Sequence, residues 1–341
     1  LRNKRGALPL TAGTAVEMRD RFRRECLLHP GPRVDVDTED LAIDVRQFRD
    51  PHEDARAAPA TLRARHYAPP RRRRDRVRLG RGRAEPLLVF IHGGGFVVGD
   101  LDTHELCCRL LCKHARVHVL SIDYRLAPEH PFPAPLDDAI AAFRWARVHA
   151  GELGADAERV AIGGDSAGGH LAAVVAQEIV RRGERAPEAQ LLLYPAIDRR
   201  RAWPSSTSVG TGFLLERADI ERFEAAYVGF AGDVGAVGIA AMHDSLPESM
   251  KADLRLRPLD ALASLDVRAG SLAPAVVVTC GFDPLRDEGD AYARALFQRG
   301  DRVIARRFDS LTHGFANLAG VSGACRDALA DVAHDLRKVR P

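Results

Sequence analysis

No stretch of the 341-residue chain approaches the roughly 18 consecutive apolar residues that a membrane-spanning helix needs. Lysine is almost missing: of 50 basic residues only Lys4, Lys113, Lys251 and Lys338 are lysines, a skew toward arginine of the kind a GC-rich genome produces. Charge of neither sign dominates, because 50 basic residues face 47 acidic ones for a net +3, which gives no ground for a nucleic-acid partner. Cysteine is sparse: Cys26, Cys107, Cys108, Cys112, Cys280 and Cys325 form no CxxC pair and no framework spacing. A disulfide scaffold is thereby excluded, and buried, reduced thiols in a cytoplasmic protein are expected. Glycine (29) and proline (20) are ordinary for this length, so the chain is neither collagen-like nor low-complexity. The N-terminus is basic, but Gly6–Val16 is broken by Pro9, Thr11, Gly13 and Thr14 and makes a poor signal segment. The chain does not open on Met, which leaves its native start open. What is present is ample apolar material, at 46% of residues, enough for one large domain or two small ones.

From about residue 85 the chain reads as strand, loop and helix in repetition. Strands are expected at Leu87–His92, Val117–Tyr124, Val160–Gly163, Leu191–Tyr194, Ala275–Cys280 and Val303–Phe308. Helices are expected at Thr103–Ala115, Leu136–Ala150, Ala167–Arg182, Glu288–Arg299 and Cys325–Val339, with Gly183 and Gly300 as C-terminal stops. Near-continuous apolar strands such as LLVFI suit a parallel sheet covered on both faces, so the fold class is α/β. Thr14–Leu28 reads as one more helix, followed by a Pro/Gly/Asp-rich passage without a convincing strand up to residue 40. LAIDVRQF and TLRARHY, within residues 41–69, read as antiparallel edge strands. Residues 199–265 form a helical, loop-rich insertion between two clear strands. The basic run Arg71–Arg83 lacks interleaved aromatics and reads as a solvated loop.

The chemistry concentrates in three places. Gly164-Asp165-Ser166-Ala167-Gly168 follows the strand RVAIGG and opens a helix, the strand–turn–helix setting of a G-x-S-x-G nucleophile elbow. A capped turn would also use such residues. A phosphate loop would not, because His170-Leu171 stands where Lys and Ser/Thr are required. Second, His92-Gly93-Gly94-Gly95-Phe96 follows the strand LLVFI, and consecutive glycines can turn backbone N–H groups toward a developing oxyanion. Third, a serine nucleophile needs a base and an orienting acid, in the chain order Ser, acid, His. Asp283 follows the strand AVVVTCGF and His313 follows VIARRF, both past strand C-terminal ends where open α/β sheets bind ligands. Asp283 is preferred to Asp287, which should lie in the following helix.

HGGGFVVGDLDTHE, SIDYRLAPEHPFPAPLDDA, GDSAGG, LLLYPAID, GFDPLRDEGDAYARAL and THGF together resemble the hormone-sensitive-lipase family of α/β-hydrolase carboxylesterases, in its bacterial branch, over roughly residues 60–341. The resemblance implies an α/β-hydrolase fold: a mostly parallel central sheet, helices on both faces and a helical cap. It implies a serine carboxylesterase with Ser166 as nucleophile, His313 as base and Asp283 as acid. Gly94, Gly95 and Ala167 would donate to the oxyanion, with Gly93 completing the turn. The domain reading is then residues 1–45 as the N-terminal part of the cap, 46–198 as core, 199–265 as cap insertion and 266–341 as the rest of the core. His170 departs from the family's usual Asn after GDSAGG, and the segment before APAVVVT is longer than usual.

No cofactor or metal is expected, since His118 falls in a strand and shares no helical face with His114, and no HExxH occurs. Asp123, Tyr124, Arg125 and Glu129 read as supports beneath the site. The expected partner is a small-molecule ester of short to medium acyl length, with no nucleic acid and no stable membrane insertion; a homodimer is left open. The same constellation could serve an amide, lactone or carbamate, and the fold also hosts non-catalytic receptors, which usually lose a triad member.

Overall fold

The computed structural model describes residues 9–51, 58–70, 84–198 and 202–340. The run Arg71–Arg83 lies outside them. Eight strands are β1 (Asp37–Asp44), β2 (Thr61–Ala68), β3 (Pro86–Ile91), β4 (His118–Asp123), β5 (Asp156–Asp165), β6 (Gln190–Leu193), β7 (Ala275–Phe282) and β8 (Val303–Thr312). The helices before β6 are α1 (Ala15–Leu27), α2 (Glu105–Ala115), α3 (Ala134–His149) and α4 (Ala167–Arg181). Between β6 and β7 come α5 (Pro204–Ser208), α6 (Arg217–Tyr227), α7 (Val234–Val237), α8 (Ile239–Ser245), α9 (Glu248–Ala252) and α10 (Pro258–Ala263), and α11 (Arg286–Gln298) and α12 (Gly323–Val339) complete the chain.

The strands form one sheet in the order β1-β2-β4-β3-β5-β6-β7-β8. β1 and β2 are antiparallel, as are β2 and β4; every pair from β4 to β8 is parallel. All six residues of β3 are buried, as a central strand covered on both faces requires. One face is packed by α3, α4 and α11 through Phe143, Leu171 and Leu296, the other by α2 and α12 through Leu111 and Leu329. Cys107, Cys108 and Cys112 are buried in that second layer. From β3 the chain steps to β4 on one side and then returns to β5 on the other. The loops after β3 and β5 therefore face each other at the point where the strand order reverses, the place where open sheets leave a crevice.

Two boundaries differ from expectation. β1 starts at Asp37, inside the passage assigned to the cap, because its polar residues are held by pairing with β2 (Asp37 opposite Ala68) and carry no apolar alternation. It ends at Asp44, whose Oδ1 accepts from the Arg46 N–H at 3.1 Å and turns the backbone. The insertion 199–265 is also not one unit. Its second half sends Met242, Leu246, Leu256 and Leu262 into the main core cluster, and Gln177 on α4 donates to the Pro258 carbonyl at 3.0 Å. Only its first half reaches the crevice. Among the described residues, no helix is long and apolar enough to cross a membrane.

Candidate active site

β5 delivers Ser166 at its C-terminal end, and α4 begins at the next residue. Ser166 has φ 54° and ψ −116°, a strained conformation for a residue with a Cβ. Its N–H donates to the Leu193 carbonyl at 2.8 Å, and the turn is closed by close backbone approach. A Cβ on Gly168 would collide with the Ile91 carbonyl, and one on Gly164 would lie 2.5 Å from the backbone of both Gly168 and Ile91. The elbow thus holds the serine side chain above the sheet. β7 and β8 bring up the other two groups. His313 Nε2 lies 2.9 Å from Ser166 Oγ, and its Nδ1 lies 2.8 Å from Asp283 Oδ2. Asp283 is fully buried, and its other oxygen accepts from the Leu285 N–H at 2.8 Å, which fixes the carboxylate plane. An imidazole held this way keeps a hydrogen on Nδ1 and offers Nε2 to the serine.

The glycine loop after β3 faces this row. Gly94 sits at φ 120°, which a side chain would resist, and its carbonyl accepts from Val97 and Val98 at 3.1 and 2.9 Å. Gly94, Gly95 and Ala167 line the same cavity as Ser166 and His313. Ala167 is the first residue of α4, so its N–H belongs to the donors a helix leaves over at its start. The Gly93 N–H is engaged elsewhere, donating to Asp165 Oδ1 at 2.8 Å, which leaves Gly93 as part of the turn and not as an oxyanion donor. The cavity holds about 150 Å³ and is walled mainly by apolar side chains, among them Leu10, Phe22, Leu215, Ile220, Phe223 and Leu285. Among the described residues, no group of three or more His, Cys, Asp or Glu could hold a metal.

The family profile described as alpha/beta hydrolase fold matches residues 88–317. LipN, a carboxylic ester hydrolase of Mycobacterium tuberculosis, is 43% identical over 94% of this chain and 76% of its own length. An ethyl acetate hydrolase of Pseudomonas putida is 34% identical over 97% and 92%. Mouse hormone-sensitive lipase is 34% identical over 51% of this chain and 24% of its own length. The chain belongs to the hormone-sensitive-lipase family of α/β-hydrolases. The structure of EstE1, a thermostable carboxylesterase cloned from a metagenomic library, superposes on this member with a TM-score of 0.78 at 32% identity, covering 97% of this chain and 99% of that one.

In this family member, a buried polar knot beneath the site went unread in the sequence. Asp165, just before the serine, accepts from Gly93 through Oδ1, and His104 Nε2 lies 3.2 Å from the same oxygen. The Tyr194 hydroxyl donates to its Oδ2 at 3.4 Å, and the Tyr194 ring meets the His313 ring edge-on at 4.8 Å. Burial works to raise the pKa of Asp165, but the adjacent His104 and the Gly93 N–H outweigh it and hold the carboxyl below its ordinary value. Burial, with His104 adding to it, pushes His92 down to about 4, so it is neutral and donates from Nδ1 to the Gly93 carbonyl at 2.8 Å. The signal available was the GDSAGG carboxylate itself, which alternation along β5 turns away from Ser166.

The expected supports have definite partners. The Tyr124 hydroxyl donates to the His92 carbonyl at 2.9 Å, Arg125 grips the buried Asp138, and Glu129 pairs with Arg19. Asp123 pairs with Arg63 at the antiparallel edge of the sheet. His170, the departure from the family pattern, meets the Ala196 carbonyl through Nδ1 at 2.9 Å. His118 pairs with His66 at 2.9 Å, with rings parallel within 1°.

Proposed function

We propose that the protein is a serine carboxylesterase of short- to medium-chain acyl esters, with Ser166 as nucleophile, His313 as base and Asp283 as orienting acid. Ester hydrolysis is the activity named for relatives spanning most of the chain. The observation that carries the residue roles is the unbroken hydrogen-bonded row from Asp283 through His313 to Ser166, at 2.8 and 2.9 Å, opening on an apolar cavity. Ser166 Oγ attacks the ester carbonyl as His313 Nε2 takes its proton. Asp283 stabilises the imidazolium, and the N–H groups of Gly94, Gly95 and Ala167 receive the tetrahedral oxyanion. The proton passes to the leaving alcohol, and water repeats the cycle on the acyl-enzyme. The N-terminal segment with α1, together with residues 202–230, would form the cap. The narrow cavity supports small esters, as does the relative named for ethyl acetate. The six cysteines, all among the described residues, form no disulfide, which suits the cytoplasm, and we take that as its location.

Ser166→Ala should lower kcat by several orders of magnitude with an unchanged melting temperature, because the elbow geometry belongs to the backbone. Retained activity in the purified variant would overturn the assignment. Across p-nitrophenyl esters from acetate to palmitate, kcat/KM should peak at butanoate or hexanoate and fall steeply beyond. A peak at laurate or longer, or activation at a lipid interface, would mean that the cap is a lipase lid.

A further inference from the structure

The turn Pro9–Ala12 is held by hydrogen bonds from two sides. Ala12 closes it by donating to the Pro9 carbonyl at 3.2 Å. From one side, Asp219 of α6 accepts with a single oxygen from the Thr11 N–H at 3.2 Å and from the Thr11 hydroxyl at 2.8 Å. From the other side, the Arg21 guanidinium of α1 donates to the Leu10 carbonyl at 2.9 Å and the Ala12 carbonyl at 2.7 Å. Asp219 is buried, and its second oxygen accepts from the Glu216 N–H at 3.3 Å in the capping box that starts α6. One carboxylate therefore fixes both the turn and the helix that presents Ile220 and Phe223 to the cavity. A buried carboxylate used by three donors is costly to disturb, so the turn and α6 move together or not at all.

What this apparatus positions is Leu10. Its side chain lines the cavity that contains Ser166. It also packs against both apolar clusters around the crevice: Val97, Val98 and Phe223 on the side of the glycine loop, and Ala196, Leu215 and Leu285 on the side of the acid. Leu10 is where the two walls meet. With the carbonyl of Leu10 and the following N–H both engaged, its backbone has no freedom to swing the side chain clear of an incoming chain. We propose that Leu10 is the stop that sets how long a substrate chain the site accepts, and that Thr11, Asp219 and Arg21 serve to hold it there. The inference rests on the carboxylesterase reading and adds to it a residue that determines specificity.

The test is a ratio. kcat/KM is measured for wild type, Leu10→Ala, Leu10→Phe and Thr11→Val on two series: p-nitrophenyl esters of rising acyl length, and acetates of rising alkyl alcohol length. Leu10→Ala should raise the long-to-short ratio at least tenfold in the series whose variable chain runs to Leu10, and Leu10→Phe should lower it in that series. Thr11→Val keeps the side-chain shape and removes the hydroxyl donor; it should shift the ratio in the direction of Leu10→Ala by a smaller factor. If Leu10→Ala and Leu10→Phe scale short and long esters by equal factors in both series, Leu10 is a packing residue and the inference fails, while the esterase reading survives. Absence of all ester hydrolysis in the wild type would overturn that reading and this one with it.

Discussion

Asp283 and Asp287 follow the same strand one helical turn apart, and their surroundings divide the work between them. Asp283 is fully buried with one oxygen on His313. Asp287 Oδ2 accepts from the Ser205 N–H at 2.8 Å, which ties α11 to α5. Asp283→Asn should therefore lower kcat by roughly 10⁴, by spoiling the imidazole tautomer and removing the partner of its cation. Asp287→Asn should leave kcat within a few-fold and lose about 1–2 kcal/mol of stability in urea titration. Reversed effects would move the acid role to Asp287. The positions of the two residues were legible in sequence because a strand exit and a helix start are local signals. The Asp165 link to Gly93 was not, since it spans 72 positions between two strands that only the sheet order makes neighbours.

Helix α1 shows what an element's own sequence can and cannot tell. Its start is written in Thr14 and Glu17, which form a capping box, and none of its residues is fully buried; Ala15, Met18 and Phe22 make a narrow, partly buried stripe against Val97, Val98 and Phe223. Arginines add to this docking. Arg19 donates to the Val97 carbonyl at 2.8 Å and the Ala127 carbonyl at 2.9 Å, and Arg23 bridges Asp100 and Asp102. Arg19→Met should raise KM and lower kcat several-fold, because Val97 belongs to the loop that carries the proposed oxyanion donors. Hydrogen exchange should quicken in α1 while the sheet keeps its protection. Exchange and kinetics matching the wild type would show the helix to be anchored by other contacts. The insertion after β6 misled for a different reason. Both halves read as helical, although all its aromatic residues lie in the first (Trp203, Phe213, Phe223, Tyr227 and Phe230), and packing puts Phe223 at the cavity and Met242 and Leu262 in the core.

At the scale of the whole molecule, buried histidines couple stability to acidity. His92 and His118 are each pushed down to about 4, in both cases first by burial and then by a neighbouring histidine. Unfolded, such imidazoles take up a proton near pH ~6.5, so below that value the unfolded chain binds more protons than the native one. The stability they contribute is complete above pH ~6.5 and drains away as pH falls toward 4. His92 alone accounts for roughly 3 kcal/mol over that window. The urea midpoint should thus drop between pH 7.5 and pH 5, and His118→Gln should flatten the slope; a midpoint constant across that range would contradict the burial of both imidazoles in neutral form.

The row of strand ends β3, β5, β7 and β8 gathers the groups proposed to react from positions 94, 166, 283 and 313, in an order that puts the proposed base last. On the ribosome, the serine elbow and the glycine loop emerge long before His313, and β8 can join the sheet only after β7 has been made. On the roles proposed above, a nascent chain still lacking β8 carries a serine hydroxyl without the base that would deprotonate it. On the proposed roles, products of translation that stop short of His313 should carry the nucleophile without being acylated through it.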